Sequence, residues 1–285
     1  MLESSILDNK QMAKLNHLNH PFFKSITIPM LFETAKGADG LRDALKEVCK
    51  KASEAIKEGY NVIILSDRAA SKEMTPIPAL LATAGVHHYL VREGSRTQTG
   101  LVVETGEARQ VHHMCLLIGY GAGAINPYLA IESLDDMLRR GVLLDLSHET
   151  AVKQYIKGLN KGMLKVISKM GISTIQSYTG AQVFEAVGLD KDFVDEYFTW
   201  TSSRIEGIGL EVVAEEALMR SRSAFPERPS GKLTIDGGGE FQWRRDGEYH
   251  LLNPETVFGL QQSTEAGRYD LFKKYSEKID NQLYS

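Results

Sequence analysis

Three polar residues follow directly on a short, mostly apolar run that is typical of a buried strand. The run spans residues 61–65 (NVIIL), and Ser66, Asp67 and Arg68 come immediately after it. Loops beyond the carboxyl ends of parallel strands form the ligand crevice of α/β proteins, so these three are the candidate binding residues. Asp67 equally fits a structural role, as a helix cap or as the partner of Arg68, and both interpretations stay open. Two further pairs occupy analogous positions in the sequence: Glu104-Thr105 and Ser177-Tyr178.

A glycine-rich passage raises the possibility of a nucleotide site. Gly119, Gly121 and Ala124 satisfy the G-x-G-x-x-A pattern, and an aspartate follows about twenty residues later. The fingerprint needs a strand before it and a helix that opens on its last glycine. Residues 111–118 instead have the pattern of a helix, and Pro127 would interrupt a helix where one must begin. We therefore expect a tight helix-to-strand turn rather than a phosphate cradle.

Two histidine pairs, His87-His88 and His112-His113, invite a metal hypothesis, because imidazoles are common metal ligands. Neighbouring residues on a helix point about 100° apart, so one pair cannot place both rings on one ion. Neither HExxH nor His-x3-His spacing occurs in the sequence. We expect polar core or interface histidines and no metal site, and no local pattern supports a catalytic residue.

Composition limits the partners and the compartment. The chain has 285 residues, with 33 Lys+Arg against 37 Asp+Glu, a net charge of -4 and a pI near 6.1. This balance gives no general attraction to nucleic acid or to a membrane surface. Cys49 and Cys115 each fall in a helical pattern, which favours a reducing, cytoplasmic setting over a disulfide framework. Residues 114–131 lack charge, but their glycines and proline argue against a transmembrane helix.

The first half of the chain alternates between two hydrophobic periods. Strand patterns occur at residues 25–32, 61–65 and 100–105, and an amphipathic helix pattern covers residues 41–56. Spacings of roughly 35 to 40 residues between strand centres are those of βαβ units with right-handed crossovers. The sequence therefore predicts an α/β fold, with a parallel, barrel-like βα-repeat domain over residues 1–148.

The second half of the chain has a different pattern of hydrophobic residues. Residues 151–169 form one long helical pattern whose apolar stripe includes Tyr155, Leu159 and Val166, and residues 172–178 have a strand pattern. Asp246-Gly247, between alternating apolar segments, is a strong hairpin signal. We predict a mainly helical second part with a β-hairpin over residues 149–285.

The resemblance that assigns a family lies in longer runs of sequence. Residues 82–130 (ATAGVHHYLVREGSRTQTGLVVETGEARQVHHMCLLIGYGAGAINPYLA) closely resemble the central domain of the glutamate synthase large subunit. Residues 165–189, 203–207 and 247–255 also resemble that family, in the same order. The resemblance covers essentially the whole chain. It implies that residues 149–285 lead into, and begin, the FMN-binding synthase domain.

The resemblance implies a reaction and a set of partners. Glutamate synthase makes glutamate from glutamine and 2-oxoglutarate: an amidotransferase domain releases ammonia, and an internal tunnel carries it to an FMN barrel where 2-iminoglutarate is reduced. The family also has a three-iron (3Fe-4S) cluster. Its electrons come from NADPH or NADH, through a small subunit, or from ferredoxin.

Departures from the family pattern predict an excised internal piece. The chain begins Met1-Leu2 where the family's nucleophilic cysteine would stand, and Cys49 and Cys115 are 66 positions apart, unlike clustered iron ligands. We expect a structural and ammonia-channelling part that binds neither FMN nor a 3Fe-4S cluster alone. An apolar face at Tyr155, Leu159 and Val166, left uncovered by the missing barrel, would favour self-association. The alternative is an autonomous small-molecule or nucleotide-binding α/β module.

Overall fold

The computed structural model describes residues 4–18, 20–226, 242–245 and 247–281. The chain divides into two compact units, Met1–Pro226 and Glu227–Ser285, and each unit is described by itself. Within the described residues, none of the helices combines the length and apolar character needed to cross a bilayer.

A four-stranded parallel sheet forms the centre of the first unit. Its strands, in spatial order, are β1 (Ser25–Pro29), β3 (Val62–Ser66), β5 (Gly100–Glu104) and β6 (Ala124–Asn126). The spatial order follows the chain order, as repeated right-handed βα units require. The predicted α/β fold with parallel βα repeats is confirmed. Residues 25–32 are not one strand, however, since the chain leaves the sheet at Met30 and forms β2 (Leu31–Glu33), antiparallel to β4 (Met74–Pro76).

Nine α-helices surround this sheet in the described part of the first unit. They are α1 (Asn9–Asn16), α2 (Gly37–Lys57), α3 (Ala79–Arg92), α4 (Val111–Gly119), α5 (Tyr128–Arg139), α6 (His148–Lys169), α7 (Ile175–Tyr178), α8 (Lys191–Tyr197) and α9 (Leu210–Ala224). Alternate strand residues bury opposite faces of the sheet. Ile63 and Leu65 belong to the main core, whereas Ile64 packs in a smaller cluster with Met12 of α1. Burial on both faces accounts for the unbroken apolar run before Ser66.

The long helix of the second half of the chain, α6, packs on helices of the first half. Within α6, Leu159 is buried in the main core, and Tyr155 and Val166 pack partly buried against it. The expectation that these three side chains lie exposed is therefore wrong: α4 and α5 cover their stripe. The domain boundary predicted after residue 148 stays a prediction, and it falls at the first residue of α6.

The predicted strand at residues 172–178 is a short helix instead. Thr174 caps α7, because its hydroxyl accepts a hydrogen bond from the Ser177 amide at 3.2 Å. This local cap outweighs the β-branched residues that suggested a strand. A separate parallel pair follows, formed by β7 (Glu185–Leu189) and β8 (Ser202–Ile208).

The second unit contains two described helices, α10 (Pro254–Glu265) and α11 (Tyr269–Asp280), packed on one another. Asn253 and Thr256 form a reciprocal capping box at the start of α10. The predicted hairpin turns on Asp246, which lies outside the described residues. The neighbouring described residues, 242–245 and 247–253, form no strand.

Candidate functional site

The sheet register places three polar side chains side by side at its carboxyl edge. Ser66 on β3 is the register partner of Glu104 on β5, and Glu104 is in turn the partner of Asn126 on β6. All three are buried, with at most 6% of each residue exposed. The sequence prediction that Ser66 and Glu104 each stand at the end of a strand is confirmed, and the structure shows that the two strands are neighbours. Ser177 and Tyr178 do not join them, because they lie in helix α7.

Glu104 is the centre of the first of two hydrogen-bond networks at this edge. One of its carboxylate oxygens accepts from the Ser66 hydroxyl at 2.6 Å, and the other accepts from Arg68 Nε at 2.9 Å. Arg68 also donates to Glu132 of α5 at 2.9 Å and lies 4.2 Å from the ring centre of Tyr128. The buried carboxylate thus has a charged partner and hydrogen bonds on both oxygens, which offsets its desolvation.

Asp67 is the centre of the second network. Its carboxylate accepts from the Thr105 hydroxyl at 2.6 Å and from the Gly106 amide at 3.0 Å. The Tyr128 hydroxyl hydrogen-bonds the same carboxylate. Asp67 therefore ties the loop after β5 and the start of α5 to the end of β3. Neither of the two roles left open for it, helix cap or partner of Arg68, is the one observed.

The seven side chains of these networks form what we call the strand-end network: Ser66, Asp67, Arg68, Glu104, Thr105, Tyr128 and Glu132. Sequence reasoning missed Tyr128 and Glu132, which come from the beginning of α5. The signal that could have found them is Asn126-Pro127, which ends the fourth strand of the parallel sheet and opens this helix. The side chains of this network form hydrogen bonds with one another and hold the strand ends together, which is a structural role.

The stability of this edge depends on pH through Asp67. Burial raises the pKa of the Asp67 carboxyl, although its hydrogen bonds from Thr105 and Tyr128 act the other way. The folded state then holds the proton more tightly than the unfolded state. Asp67's contribution to the free energy of unfolding is consequently greatest below about pH 4 and falls as pH rises through the raised pKa.

We expect the free-energy difference between the parent chain and Asp67→Asn to shrink as pH rises from about 4 to 7. Asparagine has no titrating proton, and its amide faces three donors, so the variant is the less stable one throughout. Urea unfolding of both proteins at several pH values measures the difference. A difference that grew with pH would contradict the raised pKa.

A cleft of about 420 Å³ opens beside the strand-end network. Asp67, Arg68 and Tyr128 line it together with Glu107 and Arg220. Glu107 is already engaged, since it accepts a hydrogen bond from the Ala79 amide at the start of α3 at 2.6 Å. Three arginines (Arg68, Arg109 and Arg220) and two carboxylates line this cleft, and Arg68 is already paired with Glu104 and Glu132.

The glycine passage forms the expected turn between a helix and a strand. Helix α4 ends at Gly119 and β6 begins at Ala124. Gly121 has a φ of 116°, and a Cβ there would lie 2.3 Å from Nδ1 of His87. His87 therefore occupies the space that a phosphate would need. This arrangement favours the packing turn over the nucleotide cradle.

The histidine pairs have separate surroundings. His87 Nδ1 accepts from Arg96 Nε at 3.0 Å, and burial lowers the pKa of His87 to about 4. His113 Nδ1 accepts from the Arg109 amide at 3.3 Å, and the His112 ring contacts Phe184 edge-on. Across the part of the chain that the structure describes, no three His, Cys, Asp or Glu side chains are grouped closely enough to hold a metal ion.

Fold and site together define the class: an α/β domain of parallel βα repeats whose strand ends are tied to each other by buried side chains. Comparison with known proteins gives the particular family. The chain belongs to the glutamate synthase central domain family, whose sequence model matches residues 1–190.

Curated relatives agree with this assignment over nearly the whole chain. The chain is 44% identical over 281 residues to the glutamate synthase (NADPH) large chain of Bacillus subtilis, covering 99% of this chain and 18% of that protein. It is 39% identical over 259 residues to the glutamate synthase (NADH) of Schizosaccharomyces pombe, covering 90% and 12%. It is 36% identical over 297 residues to the chloroplastic ferredoxin-dependent enzyme of Spinacia oleracea, covering 100% and 18%. The chain thus spans less than a fifth of each relative, and each relative has further domains.

Proposed function

We propose that this chain is an internal structural part of a glutamate synthase, which supports the FMN barrel and contributes to the wall of the ammonia path. The observation that carries the proposal is similarity along 99% of the chain to 18% of a glutamate synthase. The strand-end network supports it, because the edge where α/β enzymes place catalytic groups is here held together by internal hydrogen bonds. In this proposal the whole enzyme makes glutamate from glutamine and 2-oxoglutarate.

The two cofactors of the family do not fit the residues of this chain. A three-iron cluster needs three thiolates, whereas the sequence contains two cysteines, Cys49 and Cys115, and both are buried. Burial raises the pKa of Cys49 to about 12, which disfavours a thiolate. The Gly121 turn, which could have accepted a flavin phosphate, is filled by His87. We propose that FMN and the 3Fe-4S cluster are held elsewhere in the whole enzyme.

The proposed partners are therefore the other domains of the same polypeptide. They comprise an amidotransferase, which supplies ammonia, and the FMN barrel, which uses it. An electron-donating small subunit or ferredoxin completes the set, as in the relatives named for NADPH, NADH and ferredoxin.

We expect the purified chain to be colourless, to leave the FMN spectrum unchanged on titration, and to form no glutamate from glutamine or ammonia with 2-oxoglutarate. The physical reason is that its candidate site lacks an uncommitted nucleophile and its cysteines cannot provide a cluster. Visible spectroscopy and a glutamate assay measure these properties. A flavin that remains bound through gel filtration, or measurable glutamate formation, would refute the proposal.

A further inference from the structure

A second cavity, of about 410 Å³, lies in the first unit at the ends of the segments that lead into β7 and β8. It also borders α3 and the end of α4. Six rings provide much of its wall: His87, His88, Tyr120, Tyr178, Phe184 and Trp200. We call it the aromatic cavity. Its volume falls in the range of small-molecule sites, roughly 300 to 1,000 Å³.

Two residues on the wall of the aromatic cavity have strained backbones. Among the described residues other than glycine, positive φ angles occur at Asp145, Gln182 and Trp200. Gln182 (54°) and Trp200 (66°) both line this cavity. Residues other than glycine rarely adopt a positive φ, and those that do tend to cluster at ligand sites.

Trp200 is unusual in a second respect, because 81% of it is exposed. Core packing therefore does not compensate for its backbone strain. A large apolar ring held in a strained, exposed position beside a cavity is the arrangement expected of a contact residue whose partner is a separate molecule.

The rest of the wall is preformed. Tyr120 and Phe184 stack with ring centres 5.7 Å apart, and Tyr178 meets Phe184 edge-on at 6.2 Å. The Tyr120 hydroxyl is hydrogen-bonded to the Thr201 hydroxyl at 2.7 Å. These contacts fix the ring orientations before any ligand arrives, and they present flat aromatic faces and edges to the cavity.

One charge faces this cavity. Arg92 is the only fully charged side chain among the described residues that line it. Its Nη1 donates to the Glu196 carbonyl at 3.3 Å and to the Thr199 hydroxyl at 3.2 Å, and no described carboxylate forms an ion pair with it. His87 and His88 have lowered pKa values through burial, and they remain neutral at pH 7. An anionic group on a ligand would therefore find one uncompensated guanidinium.

We propose that the aromatic cavity binds a planar aromatic acid, with its ring system against Tyr120, Phe184 and Trp200 and its carboxylate on Arg92. Aromatic stacking supplies the apolar contact, and the guanidinium supplies the charge-assisted hydrogen bond. This site is separate from the strand-end network, and it does not rest on the proposed role in glutamate synthase.

The test is isothermal titration calorimetry of the purified chain with 2-naphthoate, and with 2-naphthalenemethanol as its uncharged counterpart. We expect saturable one-site binding of 2-naphthoate. Arg92→Gln should weaken 2-naphthoate at least tenfold and leave 2-naphthalenemethanol nearly unchanged, since only the charge is lost. Trp243→Phe, which removes the other tryptophan of the chain, should leave both unchanged.

Trp200→Gly separates binding from folding. Glycine accepts the positive φ without strain, so the variant should unfold at the same temperature as the parent or higher. Both ligands should nevertheless bind at least tenfold more weakly, because the exposed ring is gone. Absence of saturable binding by the parent chain, or a Trp200→Gly variant that binds as the parent does, would overturn the proposal. The first result is also the one expected if another protein segment covers this cavity.

Discussion

Replacing Gly121 with alanine is expected to lower the free energy of unfolding of the first unit by about 3 kcal/mol. The φ of 116° disfavours any side chain, and the added Cβ would come within 2.3 Å of His87 Nδ1. His87 cannot simply turn away, because Arg96 bonds its Nδ1 and also donates to the Gly121 carbonyl at 2.7 Å. Urea unfolding followed by circular dichroism measures the loss.

Gly123 provides the matched control two residues further along the same turn. A Cβ there would meet the Leu101 carbonyl at 3.5 Å, an ordinary contact, and its φ is not in the positive range. Gly123→Ala should therefore change the free energy of unfolding by less than about 1 kcal/mol. Equal losses from both substitutions would show that the His87 contact does not decide the outcome.

The same turn also distinguishes packing from nucleotide binding. Addition of NADPH or a sugar phosphate should leave the melting temperature of the parent chain unchanged, since a ligand specific for the folded state must raise it. A concentration-dependent rise that disappears in Gly121→Ala would instead favour the nucleotide-binding module.

Replacing Glu104 with alanine is the second large perturbation we expect, at about 3 kcal/mol of lost stability. The substitution removes a buried carboxylate that accepts from Ser66 and Arg68. The Ser66 hydroxyl then loses the acceptor of its proton and keeps only the hydrogen bond from the Arg68 amide, at 3.3 Å, while Arg68 loses one of its two carboxylate partners. Chemical unfolding at pH 7 measures the change.

Glu132→Ala is the control for Glu104, because it removes the other carboxylate bonded to the same arginine. The Glu132 side chain is 47% exposed, against 5% for Glu104, so water replaces the lost contact. We expect a loss of about 0.5 kcal/mol. If Glu132→Ala cost as much as Glu104→Ala, burial would not be what makes the network stabilising.

The sequence predicted the sheet well, because a strand that is buried on both faces has a continuous run of apolar residues. Residues 62–65 and 101–103 are continuous apolar runs, and the polar residues after them mark the strand ends. The same logic could not predict what those polar residues contact. Glu132 lies 64 positions from Arg68 along the chain, and a pairing of that kind depends on the tertiary fold.

Local patterns failed where a cap or a proline competed with hydrophobic periodicity. Residues 172–178 have strand-forming side chains, yet the Thr174 cap turns them into a helix. The strand at residues 25–32 breaks after Pro29, and the following residues pair with a different strand, β4. The strained conformation of Trp200 has no signal in the sequence, since tryptophan rarely adopts it.

An exchange of domains tests most directly the claim that this chain is an internal structural part of a glutamate synthase. Residues 1–285 would replace the matching segment of the Bacillus subtilis large chain, with which they share 44% identity over 281 residues. The purified chimera should retain its flavin and form glutamate from glutamine and 2-oxoglutarate at a rate within about tenfold of the parent enzyme. A chimera that folds and binds flavin as the parent does, yet forms no glutamate from either glutamine or ammonia, would contradict the account.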